Sequence, residues 1–150
     1  MVVVPTYEAR YAYFPGGEPV DRQDSCDTSI SPAFKAGGRK ACWFWAKTPM
    51  AKQHVAVIFD AAVEVRKVLL HFGHQAHKKD VLYRGALELA RASGAGAGLL
   101  ACGGFAKLVD ITHGDSVVQW AGEPQAARCL RISVVQGQRE WLILQRIYVN

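Results

Sequence analysis

The stretch from His54 to Phe72 reads HVAVIFDAAVEVRKVLLHF, two β-branched runs separated only by Ala61 and Ala62. Branching at Cβ stiffens χ1 and fits the side chain to a pleated backbone better than to a helix. A chain with such runs at its centre must build sheet. The same signal returns downstream in FAKLVDI, DSVVQWA, RCLRISVVQ and EWLILQRIYVN. In RCLRISVV, Leu130, Ile132 and Val134 alternate with Arg131 and Ser133, as a strand with one buried face requires. Short runs punctuated by turn signals every ~8–12 residues predict an all-β sandwich or barrel.

One segment disagrees. Asp80 stands where a helix N-cap would, and ALELARA has strong helix propensity, so local sequence leaves helix and strand both open there. The SGAGAG that follows reads as a flexible connection. Residues 1–25 mix Tyr, Pro, Gly and acidic side chains without a period, which predicts an N-terminal arm or linker ahead of a folded domain over 26–150. Asp60 is expected to end its strand by turn chemistry.

A chain of 150 residues, half of them apolar and 21% charged, has the composition of one soluble globular domain. It contains no unbroken apolar run of ~18 residues that would span a bilayer as a helix. The opening MVVVPTYEARYAYFPGG lacks the n- and h-regions of a secretory signal, so the reading is a cytoplasmic protein or one whose targeting segment lies outside this chain. The net charge of +5 reads as a solvated surface. No zinc-finger spacing, basic zipper or aromatic RNP-like strand points to a nucleic-acid partner. Cys26, Cys42, Cys102 and Cys129 are dispersed, which excludes a zinc knuckle or a C-x-x-C motif; buried free thiols are the expected state, with up to two disulfides of undetermined connectivity as the alternative in an oxidising compartment.

The chemistry concentrates in HFGHQAHKKD, where His71, His74, His77 and Asp80 recur every third residue. On a helix the three imidazoles would share a broad face and suit a metal ion. Yet His71 closes a strand-forming run and Gly73 interrupts any helix, and on a strand or loop that spacing throws neighbouring side chains to opposite sides. No metal or cofactor is expected. No G-x-S-x-G elbow, P-loop, G-x-G-x-x-G or D-x-D pair is present, so no catalytic residue is assigned. Sugar recognition fits better. A carboxylate or amide grips paired hydroxyls while an aromatic ring lies against the C–H face. The loop offers Asp80, His77, Gln75 and His74, with aromatics in WFW and at Tyr83. One or two charged hydrogen bonds of about 1.5–3 kcal/mol give affinities near millimolar, those of a weak addressing device.

The block WFWAKTP, followed four residues later by HVAVIFDAAVEVRKVLLHFGHQAHKKDVL, resembles the C-terminal domain of the N-acetylglucosaminyltransferase IV family. The family pattern is an aromatic-Phe-Trp-Ala-x-Thr-Pro, an apolar strand ending Phe-Asp, then His-x-Gly-Asn-Gln-x-His-Pro-Gly-Asp. Phe44, Trp45, Ala46, Thr48, Pro49, Phe59, Asp60, His71, Gly73, Gln75, His77 and Asp80 fall into that register. The closing RISVVQGQREWLILQRIYV is similar as well, through Arg131, Ser133, Val134, Gln136, Trp141, Ile143, Leu144 and Ile147.

This resemblance implies a discoidin-like, galactose-binding-like jelly-roll β-sandwich. It also implies a non-catalytic lectin domain recognising GlcNAc-terminated N-glycans, with catalysis in a separate transferase domain and a Golgi setting if a targeting segment lies upstream; the alternatives are a fragment of a UDP-GlcNAc-dependent transferase whose catalytic domain is absent from this chain, or a sandwich that has lost sugar binding and serves protein interaction. It assigns a strand to Leu87, Glu88 and Leu89, makes Asp80 the principal sugar ligand, and places His77, Gln75 and His74 beside it. His71, Trp45 and Trp141 are expected to pack in the sandwich. The family's Pro-Gly before the aspartate is Lys78-Lys79 here, which removes both the fixed φ and the freedom to adopt positive φ. A different turn is therefore expected.

Overall fold

The computed structural model describes residues 9–13, 20–21, 44–46, 48–73, 77–94 and 101–149. In chain order the strands are β1 (Ala9–Tyr13), β2 (Val20–Asp21), β3 (Phe44–Ala46), β4 (His54–Phe72), β5 (Gly85–Ala92), β6 (Cys102–Ile111), β7 (Val117–Val134) and β8 (Leu142–Val149). Every pairing among the described residues is antiparallel. The path runs β2-β1-β4-β7-β5-β6, and β8 joins the far half of β4 with β3 on its other side.

The two runs at the centre of the sequence are one strand, not two. β4 continues through Asp60 for 19 residues, so Asp60 does not end a strand as expected. Likewise DSVVQWA and RCLRISVV belong to the single 18-residue β7. The first half of β4 pairs with the last part of β7, from His54↔Ser133 to Ile58↔Cys129, and its second half with the first part, from Val63↔Ala127 to His71↔Val117. Register shifts separate the halves, between Ile58 and Val63 and again between Val65 and Lys67. Such irregularities bend a strand and sharpen its twist. Here they fold the sheet over on itself.

The core lies between the two halves. Val55, Val57, Phe59, Val63 and Val65 point inward from β4, and beyond the second irregularity the inward positions become Val68, Leu70 and Phe72. The phase change is what a bulge does: one slipped residue exchanges the faces, and the bend restores the apolar set to the interior. β8 behaves alike, with Leu142 and Leu144 inward and then Ile147 and Val149. Leu87, Leu89, Leu130, Ile132 and Val134 complete the same core.

The segment after Asp80 is resolved as strand. Leu87 and Leu89 are buried and Glu88 lies between them on the other face, so alternation and strand pairing on both edges override helix propensity. Of the two states open to the cysteines, the disulfide alternative rather than the expected free thiols holds for Cys102 and Cys129. Cys102 and Cys129 form a disulfide with a Cα–Cα distance of 5.9 Å across 27 residues of sequence. Cys102 is in register with Ala92 and Cys129 with Ala90, so the bridge clips β6 to β7 over the end of β5. Cys26 and Cys42 lie outside the described residues. Among the described residues no helix is long and apolar enough to cross a membrane.

Candidate functional site

Four connections meet at one end of the folded sheet, because the strand ends they join are mutually paired. β5 begins at Gly85 opposite Val134 and Ile111, while β4 ends at Phe72 beside Leu144 and next to Val117. The described residues of the segments 48–53, 73 with 77–84, 112–116 and 135–141 therefore form a common rim. Backbone bonds tie it together: Gly73 N–H donates to Ile143 O (2.8 Å), Ile143 N–H to Asp80 O (2.9 Å), Phe72 N–H to Ser116 O (2.8 Å) and Val135 N–H to Arg84 O (2.9 Å).

The loop that carries the family-like aspartate leaves β4 through Gly73, whose φ of 78° suits glycine alone without strain. It then turns at His77-Lys78-Lys79-Asp80, where Asp80 N–H donates to His77 O at 3.2 Å. Neither lysine has a positive φ. The turn thus forms without the glycine that the family pattern places there, as turns with right-handed central residues do.

Asp80 stands at the rim with 21% of its side chain exposed, and its carboxylate lies 3.8 Å from Nδ1 of the far more exposed His77. Its backbone is held on both sides, by His77 and by Ile143. Trp141 is 40% exposed at the start of β8, contrary to the expectation of a core aromatic. It is the last residue of the 135–141 segment, just before the inward Leu142 and Leu144 of β8. The side chain of Trp45, and His74 and Gln75 entirely, lie outside the described residues. Among the described residues no group of three His, Cys, Asp or Glu side chains converges as a metal would need.

Tyr83 braces the rim. Its N–H donates to Gln138 Oε1 at 3.1 Å, its hydroxyl donates to Lys79 O at 2.9 Å, and Gln138 Nε2 donates to Val81 O at 2.7 Å. The Tyr83 ring lies so close to Gly114 that a Cβ there would sit 2.7 Å from it. Burial raises the Tyr83 hydroxyl pKa, and the charges of the Glu140 and Asp80 carboxylates add to the shift.

Beside the loop opens a hollow of about 530 Å³ lined by His71, Lys78, Asp115, Ser116, Val117 and Gln145, among others. Lys78 is the only member of the predicted loop's 77–80 turn on its wall; Asp80 and His77 are not. His71, expected to pack inside, instead alternates with the inward Leu70 and Phe72 and faces this opening. Asp115, Ser116 and Gln145 carried no signal in the sequence, since their proximity depends on β8 lying beside the end of β4.

A second polar cluster sits on the outer sheet face. Arg131 Nη2 donates to Glu88 Oε2 at 2.7 Å, Ser133 Oγ donates to Glu88 Oε1, and the Arg131 guanidinium stacks 4.0 Å over Phe105. Burial pushes the Glu88 carboxyl up, but the bonds from Arg131 and Ser133 and the Arg131 charge outweigh it and hold it below the usual carboxylate range. Burial and then the Arg131 charge lower His54, against smaller opposing effects of the Lys52 carbonyl and Glu88. Cross-strand register at Glu88↔Arg131 and His54↔Ser133 explains the grouping. Its acceptors and donors face one another, which marks a structural pairing rather than a ligand site.

The folded sheet is that of discoidin-like carbohydrate-binding modules. Chitosan-binding module 1 from a Paenibacillus sp. IK-5 chitosanase/glucanase superposes with a TM-score of 0.63 over 97% of this chain and 95% of that one, at 14% identity. The family 32 module of Clostridium perfringens NanJ, in complex with galactose, gives 0.59 over 95% and 92%, at 12% identity. In sequence, the chain is homologous to the C-terminal region of the mannosyl-glycoprotein 4-β-N-acetylglucosaminyltransferases. It is 33% identical over 118 residues to the α-1,3-mannosyl-glycoprotein 4-β-N-acetylglucosaminyltransferase C of Danio rerio, covering 77% of this chain and 26% of that protein. The α-1,6-mannosyl-glycoprotein 4-β-N-acetylglucosaminyltransferase of Gallus gallus is 31% identical over 109 residues, 70% of this chain and 23% of its own length. The chain thus spans about a quarter of the curated relatives it matches. No family model matches it.

Proposed function

We propose that this chain is a non-catalytic carbohydrate-binding domain that recognises GlcNAc-terminated N-glycan ends, with the loop from His74 to Asp80 as its grip. The observation that carries this reading is Asp80. Its carboxylate stands at the rim, partly open to solvent, on a loop anchored by Ile143 and Gly73 and with the exposed His77 alongside. A fixed carboxylate accepts two adjacent sugar hydroxyls at little ordering cost, while Trp141 supplies an exposed ring at the same rim. The names of the structural neighbours, which bind chitosan or galactose, and of the relatives, which transfer N-acetylglucosamine to mannosyl glycoproteins, support the ligand class. The transferase chemistry of those relatives would belong to the three quarters of their length without a counterpart here. The Cys102–Cys129 bridge suits an oxidising compartment and so supports a luminal, Golgi-type setting over a cytoplasmic one.

Calorimetric titration with GlcNAc tests the proposal. Wild type should bind near the millimolar range, and Asp80→Ala should weaken binding by about 10–100-fold, the equivalent of losing a charged hydrogen bond of ~1.5–3 kcal/mol. Equal binding by both proteins would remove Asp80 from the site. Turnover of UDP-GlcNAc by this chain alone would overturn the non-catalytic reading.

A further inference from the structure

The hollow beside the loop contains neither Asp80 nor His77, yet it has the features of a binding pocket. About 530 Å³ lies well inside the range of small-ligand sites, ~300–1,000 Å³. Its wall combines an acceptor at Asp115, a charged donor at Lys78, an amide at Gln145 that both donates and accepts, a hydroxyl at Ser116 and an apolar edge at Val117. Neutral polyols need this mixture: acceptors and donors facing one space, with no net excess of one charge.

The walls are also held in place. Ser116 is bonded to β4 through Phe72 N–H, and Gly114 lies against the Tyr83 ring. That ring is itself fixed to Lys79 O, next to Lys78, so the two sides of the hollow are braced against each other through one tyrosine. A side chain at position 114 would collide with Tyr83, whereas glycine with a φ of 63° lets the segment close down on it. A hollow with rigid walls loses little entropy when filled.

From these features we infer that the hollow is a second sugar subsite, taking the next pyranose of the same glycan whose terminal unit Asp80 holds. The inference rests on the proposed function, because it extends that grip along one oligosaccharide. Lys78 on the wall and Asp80 at the grip are two residues apart, a chain reach of at most ~7 Å, so neighbouring sugar units can meet both. Asp115 and Gln145 grip hydroxyls of this second ring, and Val117 covers part of its C–H edge.

Calorimetry with GlcNAc and with its β1,4-linked disaccharide, on wild type, Asp115→Ala, Gln145→Ala and the double variant, tests this. The disaccharide is expected to bind wild type at least tenfold more tightly than GlcNAc. In the double variant that gain should disappear while GlcNAc affinity stays at the wild-type value, with an unchanged thermal midpoint showing an intact fold. Equal affinity of wild type for the two sugars would overturn the subsite and leave the Asp80 grip standing. A disaccharide gain that survives the double variant would likewise overturn it. Loss of all sugar binding in wild type would sink the grip and the subsite together.

Discussion

Two polar regions, the rim around Asp80 and the sheet face around Glu88, use the same residue chemistry to opposite ends. At the sheet face the carboxylate is answered from a neighbouring strand: Glu88 accepts from Arg131 and Ser133, and the Arg131 guanidinium stacks on Phe105 although its buried Nε has no hydrogen-bond partner. At the rim Asp80 is placed by backbone bonds and keeps 21% of its side chain exposed, with the His77 imidazole 3.8 Å from its carboxylate, while Asp115 lines the hollow. A carboxylate whose lone pairs are filled by the protein stabilises the fold. One whose position is fixed while its lone pairs stay open can bind. The contrast lies in who supplies the donors, not in the residue type.

That contrast can be broken by substitution. The largest effect on stability should come from Cys102→Ala with Cys129→Ala, which reopens a loop of 27 residues and should cost about 3.5 kcal/mol in denaturant unfolding. Reduction of the wild type should give a similar loss. Glu88→Ala follows. It removes the acceptor of a largely buried arginine and that of Ser133, and should cost about 2–3 kcal/mol while GlcNAc affinity is unchanged. A stable Glu88→Ala protein that no longer binds sugar would reverse the roles assigned to the two regions.

The pH response is a smaller effect with a definite sign. His54 titrates lower in the fold than in the unfolded chain, so the unfolded state takes up its proton first on acidification. Stability should be full above about pH 6.5 and fall below it, and His54→Gln should flatten this part of the curve. Glu88 has a depressed folded pKa, so its contribution is present above about pH 4.3 and disappears as pH falls through the lower folded value. Thermal midpoints measured from pH 8 to 3 should show both declines on the acid side. Asp80→Ala should have the least effect, within about 0.5 kcal/mol of wild type, because the Asp80 backbone bonds survive the truncation.

How far these regions could be read in the sequence follows from the range of the forces involved. Alternation in RCLRISVV identified the inward face of β7, and the family-like aspartate placed Asp80 in a loop, since both are local patterns. Two runs were read where β4 is one strand, because a bulge interrupts the period without interrupting the backbone. Trp141 was expected to pack in the sandwich, yet it lies just before β8 and is exposed. The cysteines looked unrelated across 27 residues until β5 laid Ala90 and Ala92 between them.

What the sequence determined by itself is therefore the strand character, the apolar faces and the loop with its carboxylate, all fixed by side-chain stereochemistry over a few residues. The fold-over at the β4 irregularities, the disulfide, the Glu88–Arg131 pair and the hollow against Gln145 were decided only in three dimensions. Each depends on register between strands remote in the chain, and register is settled by burying both halves of the sheet against one core.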